Sequence, residues 1–407
     1  MKLRYLALLA LAILFHKVEA QDTTTTSFGK GLLNVVAKDS SWSVQFAPRI
    51  QFRANSVWNY TGTQYDSPQQ NFLIRRARLK FKGFAYSPKL KYKIELGLSN
   101  RDLSGGNQFT SDAPRYILDA VLMWNFYENF ELWAGQTKLP GNIERIVSSG
   151  NMQFIDRSLL NSRFNIDRDV GIQLHHKTFI SEKFILRETF ALSQGEGRNV
   201  TSGNLGGHQY TGRVEVLPFG EFTNGTEYVQ SDLKREVSPK LMIGIAYDYN
   251  DDAVKTRSNL GNYMQTSTGF YNTDITTVFI DAMFKYNGFS FMGEFANREA
   301  ENPIATEQDG TLAVDEDGIP TNDVVLVGNA LNLQAGYLFE NNYEVAGRFT
   351  SLRFDSVTNA SNQNQYTVGV SKYIVGHKLK VQSDVSYSTI ENENGPIAFR
   401  LGFDFHF

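Results

Sequence analysis

The feature that most restricts this chain is a two-residue period of hydrophobicity. It recurs from Trp42 to the C-terminus in about sixteen segments, each near the roughly 9–11 residues a tilted strand needs to cross a bilayer. The clearest segment is 397–407, where Phe399, Leu401, Phe403, Phe405 and Phe407 alternate with Arg400, Gly402, Asp404 and His406. The alternation also runs through Trp42–Arg53, Asn71–Tyr86, Leu90–Ser99 and Tyr116–Tyr127. It continues in 129–138, 168–180, 182–194, 207–218, 239–251, 273–287, 288–298, 328–340, 341–354, 364–375 and 377–390. Successive side chains of a strand leave on opposite faces, so each segment has one apolar and one polar face. Helices would need the apolar residues three and four apart, which they are not.

The connections add independent information. Seven are short or turn-like: Ser87-Pro88, Glu128-Asn129, Ser181-Glu182, 219–238, Asn287-Gly288, Asn341-Asn342 and Gly376-His377. They alternate with eight longer ones at 56–71, 101–114, 139–167, 195–206, 252–272, 299–327, 355–363 and 391–396. This predicts an all-β fold: a transmembrane up-and-down antiparallel barrel with lipid outside and both termini on the short-turn, periplasmic side. Closure leaves no strand edge unpaired in lipid. Segment 219–238 is too long for a turn, and its sequence suggests only a short helix near Asp232–Glu236.

Composition agrees: 30 Phe, 19 Tyr and 33 Gly stand against 10 Pro, with a mean hydropathy of −0.33. After the first twenty residues no apolar run reaches the ~20 residues of a spanning helix. Lys2, Arg4, the apolar run Leu6–Phe15 and the small residue Ala20 predict a signal peptide over 1–20, cut before Gln21. The threonine-rich stretch that follows makes 21–41 a flexible lead-in, with the barrel from 42 to 407. Cysteine is absent, which excludes disulfides, thiolate sites and a lipid-modified cysteine anchor. A net charge of −3 argues against nucleic acid as a partner.

Within Asn71–Tyr86, residues Arg76, Arg78, Lys80 and Lys82 fall on one face, with Leu73, Ala77, Leu79 and Phe81 on the other. Extending the parity to neighbouring segments turns Arg49, Arg53, Lys91 and Lys93 inward as well. These eight cations form a basic wall that guides anions, because charge in a narrow water-filled tube is weakly screened. The bland alternative is that they only pair with lumenal carboxylates; the first three strands offer Glu95 alone. Later strands turn Arg213, Arg348, Lys380 and Arg400 inward, together with Asp119, Glu215, Asp248, Asp281, Glu294, Glu344, Asp384 and Asp404, which dilute the basic character. Loop 139–167 exceeds what a connection needs and carries Arg145, Arg157 and Arg163, with Arg168 at its end. Folded into the lumen, it would narrow the pore.

Other motifs carry little. Gly29-x-Gly31 opens no strand–helix unit. Asp315-Glu316-Asp317-Gly318 lacks the glutamate that completes a calcium loop. His175 and His176 project to opposite faces and cannot chelate together. No Ser–His pair is specified, so no catalytic residue, metal ligand or cofactor site is expected.

Several stretches together resemble the phosphate-selective porin O/P family of bacterial outer membranes. They are GKGLLNVVAKDSSWSVQFAPRIQFR, FLIRRARLKFKGFAY, WAGQTKLP, FIDRSLLNSRFNIDRDVGIQLHH and the terminal FRLGFDFHF. The resemblance implies a sixteen-stranded, usually trimeric channel in which inward cations lead phosphate to a constriction built partly by an infolded loop. It assigns Arg76 and Arg78 to the strand motif and Arg157 and Arg168 to the loop motif. It also implies that the terminal strand, with Phe403, Phe405 and Phe407, resembles the signal read by the barrel assembly machinery. The expected function is a passive porin with anion preference, for phosphate or pyrophosphate. The alternatives are a general diffusion or sugar-selective pore, and a plugged barrel serving as enzyme or adhesin.

Overall fold

The computed structural model describes residues 27–201 and 203–407; the leader 1–20 and the start of the lead-in lie outside them. Sixteen strands form the barrel: β1 Arg49–Trp58, β2 Gln69–Ala85, β3 Ser87–Gly97, β4 Ile117–Tyr127, β5 Phe130–Lys138, β6 Arg168–Phe179, β7 Ile185–Ser193 and β8 Gln209–Leu217, followed by β9 Lys240–Ala253, β10 Thr273–Tyr286, β11 Phe289–Ala300, β12 Gly328–Leu338, β13 Tyr343–Phe354, β14 Gln363–Val375, β15 Leu379–Ile390 and β16 Glu393–His406. Each pairs antiparallel with its sequence neighbours. The seam closes between β16 and β1, from Ile397 opposite Trp58 to His406 opposite Arg49. Closure satisfies the backbone polar groups that an open edge would leave bare.

The expected alternation of connections holds, with local differences. Asn287-Gly288 makes a two-residue turn with positive φ at both positions, 47° and 88°, which asparagine and glycine tolerate best. The connection expected over 391–396 is also a tight turn, Glu391-Asn392, and β16 begins at Glu393. Part of the lead-in is built into the sheet: Leu33–Val36 pairs with Ser43–Phe46, whose Phe46 lies opposite Phe81 of β2. The segment from Trp42 to Arg53 is therefore two strands. They break at Ala47-Pro48, where proline has no N–H to donate.

A larger difference lies in β2. Gln51 of β1 faces Arg76, but Phe52 faces Ile74, so Arg75 is an extra residue in the ladder. This bulge inverts the phase above it. Phe72 and Ile74 are exposed on the outer surface, and the half-buried Leu73, expected to face outward, lies opposite the inward Arg53. Arg75 turns inward beside Arg76, which spares a guanidinium the roughly 2–4 kcal/mol cost of mid-bilayer lipid.

The outer surface is apolar along every part of the circumference, with Leu122, Ile172, Ile245, Val368 and Leu401 all exposed. Among the described residues, no helix is long and apolar enough to cross a membrane. The strands are what cross.

Inside, the two halves differ. Residues 139–167 run from β5 into the barrel and lie against strands β7 to β13. Leu139, Leu160, Phe164 and Ile166 pack on Ala191, Ala246, Phe279, Ala296, Ala330 and Leu352. Five of these wall residues, Ala246, Phe279, Ala296, Ala330 and Leu352, lie directly opposite one another across β9–β13. A second row, Met242, Met283 and Met292, receives Ile143, Val147 and Met152 of the loop. Alanine makes room and methionine adapts its shape, so both rows fit an inserted chain.

Segment 219–238, expected to hold a short helix near Asp232–Glu236, instead crosses the short-connection end of the same half. The helical turn it does contain is a 3-10 turn at Thr226–Tyr228. Phe222 joins the methionine row, and the Asn287 N–H donates to the Glu236 carbonyl. The Ser231 hydroxyl donates to Glu344 at 2.8 Å, and the Gln153 N–H of the loop donates to the Gln230 side chain at 2.8 Å. The two inserted segments thus meet inside the barrel and close one half of its section. The length of the β8–β9 connection is what lets it reach the loop.

Candidate functional site

The unfilled half lies along β2–β6. Toward the short-connection end it holds a cavity of about 590 Å³ lined by Lys80, Lys93, Glu95, Lys138 and Arg187 among others. Toward the long-connection end lies a second, of about 370 Å³, lined by Arg75, Arg76, Arg101 and Arg198. Arg78, Arg145, Arg157 and Arg168 line both, so the two cavities meet at four guanidinium groups. Two come from the wall, on β2 and at the start of β6, and two from the inserted loop.

Each of the four is held differently. Arg78 donates to Glu95 at 2.9 Å, with Asp102 at 3.4 Å. Arg168 forks onto both Asp119 oxygens at 3.1 Å, and Lys93 reaches the same carboxylate at 2.7 Å. Arg145 pairs with Asp167. Arg157 instead donates to the carbonyls of Glu144 (2.9 Å) and Val147 (2.8 Å), which fix its position without cancelling its charge. Burial pushes its guanidinium down to about 10; Glu144 opposes the shift, and the like charges of Arg78 and Arg168 add to it. It is still charged at neutral pH. Crowding of this kind marks a site where an added anion is stabilised.

The loop that supplies Arg145 and Arg157 is clamped through its backbone. Wall cations donate to its carbonyls: Arg213 to Gly141 (2.8 Å), Arg298 to Phe164 (2.7 Å), Arg348 to Asp156 (2.9 Å) and Lys380 to Met152 (2.7 Å). Wall acids accept from its N–H groups: Asp281 from Ile143 (3.2 Å), Glu294 from Glu144 (2.6 Å) and Asp384 from Ile155 (3.4 Å). Most acids expected to dilute the basic lumen are therefore engaged elsewhere. Asp248 accepts from Gln209 and Thr211, Glu344 from Gln153 and Tyr373, and Asp404 from Arg49. Among the described residues, three aspartates, Asp102, Asp156 and Asp167, line the smaller cavity, against nine arginines.

The other residues marked from sequence take varied places. Arg49 is buried and tied to Asp404 (2.6 Å) and to the Ser149 hydroxyl (2.7 Å), which makes it a loop anchor. Arg53 turns inward and pairs with Asp156. Arg76 is buried beneath the smaller cavity, bonded to Gln51. Lys80 lines the larger cavity and, among the described residues, forms no ion pair. Lys82 and Lys91 lie at the short-connection rim near the N-terminal hairpin, where the Lys91 side chain is half exposed and 3.8 Å from Glu131. Arg163 is exposed and lines neither cavity; only its carbonyl takes part, accepting from Arg298 at 3.2 Å. The sequence reading missed Arg75, Arg101, Lys138 and Arg198. Arg75 had one available signal: strict parity would have left it in lipid.

An uncharacterized protein of Aquifex aeolicus is 23% identical over 397 residues, covering 91% of this chain and 88% of its own. The OmpF–daunomycin complex of Salmonella typhi superimposes with a TM-score of 0.55 at 12% identity, over 92% of this chain and 100% of that one. The anion-selective porin of Comamonas acidovorans gives 0.53 at 10%, over 90% and 100%. These two likenesses are of fold. Residues 49–316, from the first barrel strand into the connection after β11, match the family described as phosphate-selective porin O and P, and the chain therefore belongs to that family, a sixteen-stranded outer-membrane channel and not an enzyme.

Proposed function

We propose that this channel is a passive porin with anion preference, whose solutes are phosphate-like oxyanions, phosphate or pyrophosphate. The observation that carries the reading is the meeting of both cavities at Arg78, Arg145, Arg157 and Arg168, with Arg157 free of any carboxylate within ion-pair distance among the described residues. Fixed guanidinium groups replace part of an anion's hydration with N–H donors suited to oxygen geometry. A sugar pore would use lumenal aromatic platforms; among the described residues no aromatic side chain lines the smaller cavity, and in the larger one Trp133 is already packed on His175 and Tyr228 is bonded to Glu215.

In this reading the short connections and both termini face the periplasm, the functional unit is a homotrimer, and Phe403, Phe405 and Phe407 present the strand to the assembly machinery. Reversal potentials across planar bilayers in a KCl gradient test the selectivity, and the expected sign is that of chloride preference. A cation-selective potential overturns the proposal. Block of chloride current by phosphate at lower concentration than by sulfate is the expected mark of the solute class.

A further inference from the structure

Asp156 sits on the inserted loop between Ile155 and Arg157, and its carboxylate enters a cluster of arginines from three adjacent strands. Arg75 Nε of β2 donates to Oδ1 at 2.8 Å, Arg53 of β1 pairs with Oδ2, and Arg400 Nε of β16 lies 3.8 Å from Oδ2. Arg400 shares its charge with Asp384 at 2.8 Å. Arg53 and Arg75 have no other carboxylate within ion-pair distance among the described residues. The Arg53 Nε is buried with no partner. Five charged groups thus meet, three positive and two negative, and one of the negatives belongs to a loop.

The loop does not need that carboxylate to stay in place. Its backbone at the same point is held by Arg348, which donates to the Asp156 carbonyl at 2.9 Å, and by Asp384, which accepts from the Ile155 N–H. Asp156 and Arg75 also line the smaller cavity, which Arg53 and Arg400 do not, so the cluster is reached from the long-connection end on its Arg75 side. Burial raises the Asp156 carboxyl, but Arg75, Arg53, Arg76 and Arg400 outweigh it and hold it well below the usual range. A singly charged carboxylate here occupies a place that a tetrahedral dianion would fill with more hydrogen bonds.

We propose that Arg53, Arg75 and Arg400 form a second oxyanion site, upstream of the four-arginine constriction, and that Asp156 is its tethered internal anion, displaced when a divalent oxyanion binds. The inference rests on the anion-channel reading above and adds to it a site and a competitor. The tether sets the affinity. A solute must exchange with a carboxylate held at high local concentration, which weakens binding and speeds release.

The test is phosphate block of single-channel chloride current in full-length channels. Asp156→Asn keeps the shape and removes the charge, and it is expected to lower the half-blocking phosphate concentration by about fivefold or more. Asp156→Glu, which keeps a tethered charge, is expected to stay within about twofold of wild type. A half-blocking concentration that is unchanged or raised in Asp156→Asn overturns the proposal. So does a jump in chloride conductance with lost selectivity, matching Arg348→Met, because Asp156 would then be only a loop tether. Should Asp156→Asn fail to assemble, Arg53→Gln carries the same test: the half-blocking concentration is expected to rise at least about threefold, and no change overturns the site. Failure of the underlying reading is distinguishable, since it appears as cation selectivity in the wild-type channel.

Discussion

Arg78 and Arg298 are both arginines at inward positions of barrel strands, yet their surroundings differ completely. Arg78 on β2 lines both cavities and keeps 14% of its side chain exposed, as Lys93 on β3 keeps 25%. Arg298 on β11 is at 0%, bonded to the carbonyls of Phe164 and Asn165, and Lys285 and Lys380 are likewise at 0%. The difference lies in what stands opposite. The wall of β2–β6 borders the two cavities, and the wall of β9–β15 faces two inserted segments. An inward cation in a barrel is thus a lumenal charge only where nothing has been folded against it.

The two halves can be separated experimentally. The largest effect is expected from replacing 220–236 by a short glycine–serine turn. That removes the closure of the filled half, and conductance should rise by roughly twofold or more with loss of anion selectivity. An unchanged conductance would show that 139–167 alone closes that half.

Next in size is Arg213→Met. Arg213 is nearly fully buried and serves both Glu215 at 2.8 Å and Asp281 at 2.7 Å, so its removal leaves buried Asp281 without a cation and Glu215 with only Arg187 at 3.9 Å. Thermal or denaturant unfolding should show a loss of about 3–5 kcal/mol. Arg298→Met leaves loop carbonyls without donors, and should cost about 1–3 kcal/mol while leaving ion selectivity within error.

On the open wall the order reverses. Arg76→Ala with Arg78→Ala should reduce the chloride-to-potassium permeability ratio several-fold, by more than Arg145→Ala, with a smaller cost in stability. Arg78 and Arg145 are both ion-paired, with Glu95 and with Asp167, so the difference comes from removing two wall charges against one loop charge. Equal effects would contradict the strand as the main selectivity element. The smallest effect is expected for Arg163→Ala, whose side chain lies outside both cavities; bilayer recordings should not distinguish it from wild type.

How much of this was legible in the sequence depends on the distance over which each interaction acts. Alternation placed the strands closely: the expected ends of 129–138, 168–180 and 273–287 fall within a residue of the observed ones. It failed at Arg75, because one inserted residue inverts the parity of everything beyond it. It also assigned acids such as Asp281 and Glu294 to a water-filled lumen, where they instead accept from the backbone of Ile143 and Glu144. Parity reports which face a side chain leaves from, and it carries no information on what occupies the space beyond. One sign was nevertheless present. The inward Ala246, Ala296 and Ala330, with Met242, Met283 and Met292, are apolar where a wet lumen would favour polar residues.

The sequence by itself determined the barrel, its alternating connections, its apolar outer face and the basic character of its first strands. These follow from a local period of two and from the cost of leaving backbone or charge bare in lipid. Only the tertiary structure decided which half of the lumen is open, which cations face it, and that Arg101 and Arg198 join them from distant loops. Those outcomes depend on contacts such as Gln153 with Gln230 and Arg53 with Asp156, between residues far apart in the chain, for which no local pattern exists.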